Sequence, residues 1–305
     1  MVAETPWHGL ILVDKPSGMT SHDVVAKLRR VYKTKAVGHT GTLDPMASGL
    51  MVCLLNEGTK LSQYILEGDK GYHLGALLGV STDTLDITGQ ILSKQDVAVS
   101  SLQLRVAMDS LMGEFEWEVP KYSAIKVDGQ KLYEYARQGE EVLIPKKLMK
   151  FWQLENQKIE PSQVSCSLKC SKGSYIRTWI QKLGEELGVP ATMNSLRRFY
   201  SAPYYLEQAV ALADLEVGGP VAGERAFVSM EKAMPFLKTL RVKGHDENMI
   251  RNGQISHDLR ARLIVEFDPA IDHYVQIHSL DTQKLLALVG IDPKRGLVIK
   301  RGFQY

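Results

Sequence analysis

The sequence predicts an α/β (α+β) fold, a large body of strands and amphipathic helices carrying a smaller β-rich unit at its end. Three observations point there. Through about residue 238, short apolar runs such as Leu10–Asp14 and Leu50–Leu55 alternate with segments of helical period. From about Thr239 the strand candidates crowd together, at 262–268, 273–280, 284–291 and 296–300, after one short helix near Asp246–Arg251. A chain of 305 residues, 44% hydrophobic and 24% charged, can bury one large core or two. We therefore divide it into 1–238 and 239–305.

The elements follow in order. After the first strand and a K-P-S-G-M-T-S loop, Ser21 is expected to cap a helix whose apolar face is Val24, Val25, Leu28 and Val31. A glycine-rich loop leads into strand Leu50–Leu55, then a helix near Thr59–Leu66 and a strand beginning at D-K-G-Y. Ser81–Gly89 holds Asp83 and Asp86 but lacks the alternating oxygen spacing of a calcium loop, so it reads as a connection. Ser100 caps a helix running to Met112, and Glu114–Val119 alternates as a strand with one wet face. A helix over Lys131–Gln138 and strands near 148–159 and 163–170 come next. Tyr175 opens a helix with Ile176, Trp179, Ile180, Leu183 and Leu187 on one face, stopped by Gly188 and Pro190. After Leu206–Val217, G-G-P-V-A-G reads as a surface loop.

Composition narrows the function classes. No apolar run approaches the roughly 18 residues of a membrane span, and M-V-A-E-T-P-W has neither a basic head nor an apolar signal core. The three cysteines imply no disulfide framework, and Cys166 and Cys170 fall on the buried face of an alternating strand, as small hydrophobes. These features suit a cytoplasmic protein. Net charge is only +2, yet residues 61–119 sum to −6 and 120–200 to +6, so a positive face for a phosphate backbone is available.

The stretch Gly38–Gly49, G-H-T-G-T-L-D-P-M-A-S-G, isolates one carboxylate, Asp44, among glycines just before a strand. Pro45 pushes Asp44 toward an extended backbone, and the glycines let another segment approach closely. Taken alone it is an ordinary turn. Four further stretches change that reading: L-V-D-K-P-S-G-M-T-S-H-D-V-V, D-K-G-Y, Y-S-A-I-K-V-D-G-Q-K-L-Y-E-Y-A-R, and G-S-Y-I-R-T-W-I followed by S-L-R-R. In this order, over about residues 9–200, they closely resemble the TruB family, bacterial tRNA pseudouridine synthases acting on uridine 55 of the T-arm loop.

The resemblance implies a catalytic domain with a mixed, largely antiparallel sheet flanked by helices, and a PUA-like RNA-binding unit after residue 239. It implies Asp44 as nucleophile, attacking ring carbon 6 or the anomeric carbon, and Tyr72 as the ring stacked on the base and candidate base for the carbon-5 proton. Arg177 is the cation paired with Asp44, a task suited to a guanidinium fork. Tyr175 and Leu196 are implied in the uridine pocket, and His39 against the displaced nucleotides. Lys15, Lys60, Arg197 and Arg198 are expected phosphate contacts. The reaction is an isomerisation, so no cofactor or metal is expected. A stand-alone monomer acting on tRNA, with no membrane and no obligate protein partner, is implied. Two departures from the family pattern bear on local loop shape: Val119 where a proline is usual, and Y-S-A-P-Y at 200–204. Two other readings compete. A non-catalytic RNA-binding protein on this scaffold would not require an acid facing an anionic ligand. A retaining glycosidase would require a second carboxylate about 5 Å away, and these motifs offer none.

Overall fold

The computed structural model describes residues 7–65, 68–268 and 271–305. Residues 1–6 of the N-terminal stretch, and Leu66 at the expected end of its helix, lie outside them.

An eleven-stranded mixed sheet forms the body. Its main path runs Val210–Ala211, Gly9–Lys15, Ser48–Leu55, Ala191–Ser201, Lys70–Leu78, Gln163–Cys170, Lys146–Glu160, Gly113–Glu118. Neighbours are antiparallel except where Gly9–Lys15 meets Val210–Ala211 and where Ser48–Leu55 meets Ala191–Ser201. Ser48–Leu55 is buried almost throughout because sheet neighbours flank it and helices cover it, which is why it reads as a continuous apolar run. Gly113–Glu118, at the edge, keeps the expected alternation, with Phe115 stacked on Trp117 at 4.5 Å. The helix Ile176–Leu187 buries Trp179, Ile180 and Leu183 completely, each worth about 1.5–3 kcal/mol of apolar transfer. Gly188 ends it in the left-handed region. The three cysteines are free and buried, as small hydrophobes should be.

Three expectations are corrected, and one strand was not foreseen. Thr20, not Ser21, is the N-cap; its hydroxyl accepts from Asp23 N while the Asp23 carboxylate accepts from Thr20 N, closing a capping box one residue early. The G-G-P-V-A-G stretch is not a surface loop. It belongs to a kinked helix, Leu212–Ala222, in which Gly219 (φ 65°, ψ −159°) breaks the spiral and Pro220 restarts it. The strand expected at 262–268 is the end of a helix, His257–Glu266. Ser256 caps it, Leu259 and Leu263 pack inward one turn apart, and Ile264 and Val265 stand in solvent at 65% and 84% exposure. An apolar triplet there mimics a strand because two of its members are not buried at all. Finally, Ala191–Ser201, without a sequence expectation, is a central strand.

A second, four-stranded sheet runs Lys238–Val242, Val275–Ser279, Leu285–Asp292, Gly296–Gly302. It has its own core, including Val242, Ile250, Leu259, Leu263, Ile277 and Val289. The strand Leu285–Asp292 faces both ways, because Leu285 and Leu288, with Phe303, pack into the core of the body instead. The first strand begins at Lys238, so the division expected near Thr239 falls inside it.

Candidate active site

The site assembles where Ala191–Ser201 inserts between Ser48–Leu55 and Lys70–Leu78. That insertion sets Arg198 directly opposite Gly49 on one side and Tyr72 on the other, and Leu196 opposite Leu74. A β-carbon at Gly49 would lie 2.3 Å from the Arg198 carbonyl oxygen, and its φ is +102°, so only glycine fits this crossing. Immediately before it, the Asp44 loop closes a turn through Ala47 N donating to Asp44 O at 3.0 Å.

The K-P-S-G-M-T-S loop braces that turn. Lys15 Nζ donates to the carbonyls of Pro16, Met19 and Pro45; Gly18 N donates to Pro45 O; Ser17 Oγ donates to Met46 O. The Ser21 hydroxyl accepts from Leu43 N and donates to Leu43 O. The two motifs are adjacent in space because the strand Gly9–Lys15 pairs along its full length with Ser48–Leu55.

Arg177 reaches Asp44 from the first turn of its helix with two nitrogens: Nε lies 3.0 Å from Oδ2, and Nη2 donates to Oδ1 at 3.3 Å. Nη1 donates to Thr84 O at 3.2 Å, and Nη2 donates also to Tyr122 O at 3.0 Å. The guanidinium side chain is 6% exposed and the Asp44 side chain 30%. A buried fork thus holds a carboxylate that solvent or a ligand still reaches. Burial pushes the Asp44 carboxyl above the ordinary carboxylate range, against the pull of Arg177 and with a push from Asp86. Asp86 itself is buried and satisfied by Thr84 and Thr88, shaping the turn that aims the Thr84 carbonyl at Arg177.

Tyr72 is buried beside this pair, and burial drives its hydroxyl above the usual phenol range while the Arg198 guanidinium pulls it back. Leu196 is buried on the face that Arg198 shares. Tyr175 is the half-buried N-cap residue of the Arg177 helix, its hydroxyl also driven up by burial. His39 ends the short strand Val37–His39 at the start of the loop, half-buried, accepting from Gly41 N at 3.3 Å; burial and the nearby Arg198 hold its imidazole below the ordinary range.

Of the four expected phosphate contacts, the structure encloses two and leaves two at the surface. Lys15 and Arg198 are 0% and 2% exposed and spend their donors on main-chain carbonyls. Arg197 is at the surface but engaged by both oxygens of Asp14, and Lys60 is paired with Glu57. Strand alternation could have separated Arg197 from Arg198, had S-L-R-R been read as a strand. Neither Thr84 and Tyr122 as main-chain anchors nor the buried Lys70 carried a sequence signal.

The arrangement is a partly exposed carboxylate held by a buried arginine, with a buried tyrosine on the neighbouring strand, a combination able to present an ionised nucleophile. Residues 29–176 match the family described as TruB family pseudouridylate synthase (N terminal domain). The chain is 56% identical to a tRNA pseudouridine synthase B of Bdellovibrio bacteriovorus, over all of both chains. It is 40% identical to one of Oenococcus oeni, over 81% of this chain and 85% of that one. Among solved structures it is similar to a chain of an H/ACA ribonucleoprotein bound to a substrate RNA containing 2'-deoxyuridine (TM-score 0.70, 23% identity, 98% of this chain and 86% of that one), a likeness of fold. The chain belongs to the TruB family of pseudouridylate synthases.

Proposed function

We propose that the protein is a tRNA pseudouridine synthase that isomerises uridine 55 in the T-arm loop, acting alone in the cytoplasm. The observation that carries the mechanism is the Asp44–Arg177 pair, a carboxylate held by a fork yet open on one side. Over the reaction the N1–C1′ bond breaks, a C5–C1′ bond forms, the C5 proton leaves and N1 gains one. No electrons are gained or lost overall. Asp44 acts as the nucleophile, kept aimed by Arg177 and braced from beneath by Lys15 and Ser21. Tyr72 stacks on the uracil and its oxygen takes the C5 proton. Tyr175 and Leu196 complete the pocket wall, and His39 meets the nucleotides displaced when the base is flipped out. Because Lys15 and Arg198 are buried, the backbone is gripped instead by exposed cations of the +6 stretch, such as Lys121, Lys126 and Lys147. The unit after Lys238 binds RNA away from the loop where the chemistry occurs.

The test is tRNA made without modification and carrying tritium at uridine C5. Stoichiometric tritium release from a single position, abolished when uridine 55 is replaced by cytidine, is expected. Release that survives that replacement would overturn the assignment to this position, and no release at all would overturn the activity.

A further inference from the structure

Tyr305 bridges the two units with both its ring and its hydroxyl. The hydroxyl donates to Glu231 Oε1 of the body at 2.6 Å and accepts from Leu285 N of the second sheet at 2.9 Å. The ring stacks on that of His8, ahead of the first strand, with centroids 5.5 Å apart and planes 28° from parallel. Lys284 lies over the same ring, its Nζ 5.1 Å from the centroid, and donates to Tyr305 O. One residue earlier, Gln304 N donates to Glu57 Oε2 at 3.2 Å, and Glu57 N in turn donates to His8 Nδ1 at 3.4 Å. The segment thus grips three separate stretches of the body, around His8, Glu57 and Glu231.

The other contacts between the units are mostly of a different kind. Leu285, Leu288 and Phe303 enter the core of the body, and Tyr274 meets Tyr64 edge-on at 4.8 Å. Apolar burial is non-directional, so it holds two surfaces together without selecting an angle between them. Hydrogen bonds to fixed partners do select one. Gln276 makes such a bond to Met234 O, at 2.8 Å, close to where the chain enters the unit. One fixed point leaves the unit free to swing about it. The Tyr305 cluster is a second, and it reaches other parts of the body.

We propose that Tyr305 is a positioning residue that locks the unit after Lys238 at one angle to the body, and thereby sets the preference for full-length tRNA over an isolated T-arm stem-loop. This rests on the reading above that the unit binds RNA away from the loop where the chemistry occurs. Units joined in one chain move relative to each other unless their interface prevents it. Two RNA-binding surfaces held at a fixed angle engage a rigid ligand together, because the second contact is made at high effective concentration. If the angle wanders, that concentration falls for a ligand spanning both surfaces. A stem-loop that fills only the Asp44 site does not feel the change.

The experiment places spin labels through Asp109→Cys in the body and Asp281→Cys in the unit, both exposed positions, in the full chain. Cys53, Cys166 and Cys170 are buried and do not take label. The distribution of label distances is measured for the parent, Tyr305→Phe, Tyr305→Ala and Glu231→Met, with folding followed by melting. Filter binding gives affinities for unmodified tRNA and for the stem-loop, and tritium release gives the single-turnover rate on saturating stem-loop. The parent should show one narrow distance. The distribution should broaden in Tyr305→Phe, which keeps the ring on His8 but loses the hydroxyl, and broaden further in Tyr305→Ala. Affinity for tRNA should fall about 3-fold and about 10-fold respectively, with stem-loop affinity within about 2-fold of the parent and release unchanged. Distances as narrow as in the parent, an unaltered preference for tRNA, or stem-loop affinity lost in step with tRNA affinity would each overturn the inference. Should Tyr305→Ala not fold, Tyr305→Phe and Glu231→Met, which remove the same hydrogen bond from either side, decide by the same criteria. A parent that binds tRNA no better than the stem-loop overturns instead the reading of the unit as an RNA binder, so the two failures are distinguishable.

Discussion

Lys15, Lys70, Arg177 and Arg198 are the buried lysines and arginines among the described residues, and all of them lie in the body around the large sheet. The unit after Lys238 buries none of its own; its cations stay at the surface, as in Lys238–Asp272, Arg251–Glu247 and Arg262–Asp246. Both regions have aliphatic cores, so the difference is not one of packing. Burying a cation is costly in any fold, and stability alone would favour a hydrophobe in its place. The body accepts that cost around the Asp44 loop, where Lys15 and Arg198 hold main-chain carbonyls and Arg177 holds the carboxylate itself. The C-terminal unit keeps its charges wet, where they are worth little to stability and are free to meet a phosphate.

The sharpest way to break this comparison is Asp44→Asn. It should abolish tritium release, beyond the ~10⁴-fold that a lost general base costs, while tRNA binding persists or tightens as one negative charge leaves the site. Turnover within about 100-fold of the parent would remove Asp44 from the chemistry.

Next in size is Arg177→Lys, which keeps a charge but cannot span both Asp44 oxygens and the two carbonyls. Single-turnover release should fall roughly 100-fold with a modest change in affinity. Its pH dependence is informative as well. In the role proposed above Asp44 acts as the carboxylate, and burial raises its ionisation, so activity should rise with pH along a limb above the ordinary carboxylate range. Arg177 opposes that rise, so Arg177→Met should move the limb to higher pH. A limb that moves down or stays put would show that Arg177 does not set the state of Asp44.

A smaller effect concerns stability. Burial lowers Lys70 from 10.5 to about 8, so between these values the unfolded chain holds a proton that the folded chain has released. Stability contributed by this group is therefore depressed below about pH 8 and recovers as pH rises. Lys15 acts in the same sense. Urea midpoints at pH 7.5 and 9.5 should differ less in Lys70→Met than in the parent. An unchanged difference would mean that Lys70 keeps its ordinary ionisation in the fold.

The smallest expected change tests the wet side. Replacing the exposed Lys294, Lys300 and Arg301 with alanine should weaken tRNA binding, flatten the salt slope by about one per lost phosphate contact, and leave single-turnover release at saturation unchanged. Deleting the unit is a poorer test, because Leu285, Leu288 and Phe303 belong to the core of the body and their loss would uncover it. An unaltered affinity and slope in the triple variant would show that this surface does not hold RNA.

Much of this was legible in the chain. The helix Ile176–Leu187 and its stop at Gly188 follow from period and turn chemistry, both local properties. The Asp44 loop by itself reads as an ordinary turn, and it was the order of motifs along the chain that singled it out and linked it to Arg177. What misled were segments whose local pattern and environment disagree. Ile264 and Val265 look like strand residues but lie on the solvent side of a capped helix, and Gly219–Pro220 looks like a loop but is a kink between helical turns.

Residue types, their spacing and the apolar periods by themselves determined the α/β body and the β-rich end, and the resemblance of the ordered motifs to a known family singled out Asp44, Arg177 and Tyr72 as the candidate site residues. These depend on interactions within a few residues along the chain or on motifs readable in one dimension. The tertiary structure alone decided which cations are buried and what they touch. Lys15, Lys60, Arg197 and Arg198 look equivalent as free side chains. Strand order separates them: it carries Arg198 between Gly49 and Tyr72, turns Arg197 outward to Asp14, and folds Lys15 under Pro45. A cation's role depends on the dielectric and the partners around it, and for Arg197 and Arg198 those are supplied by segments more than a hundred residues away.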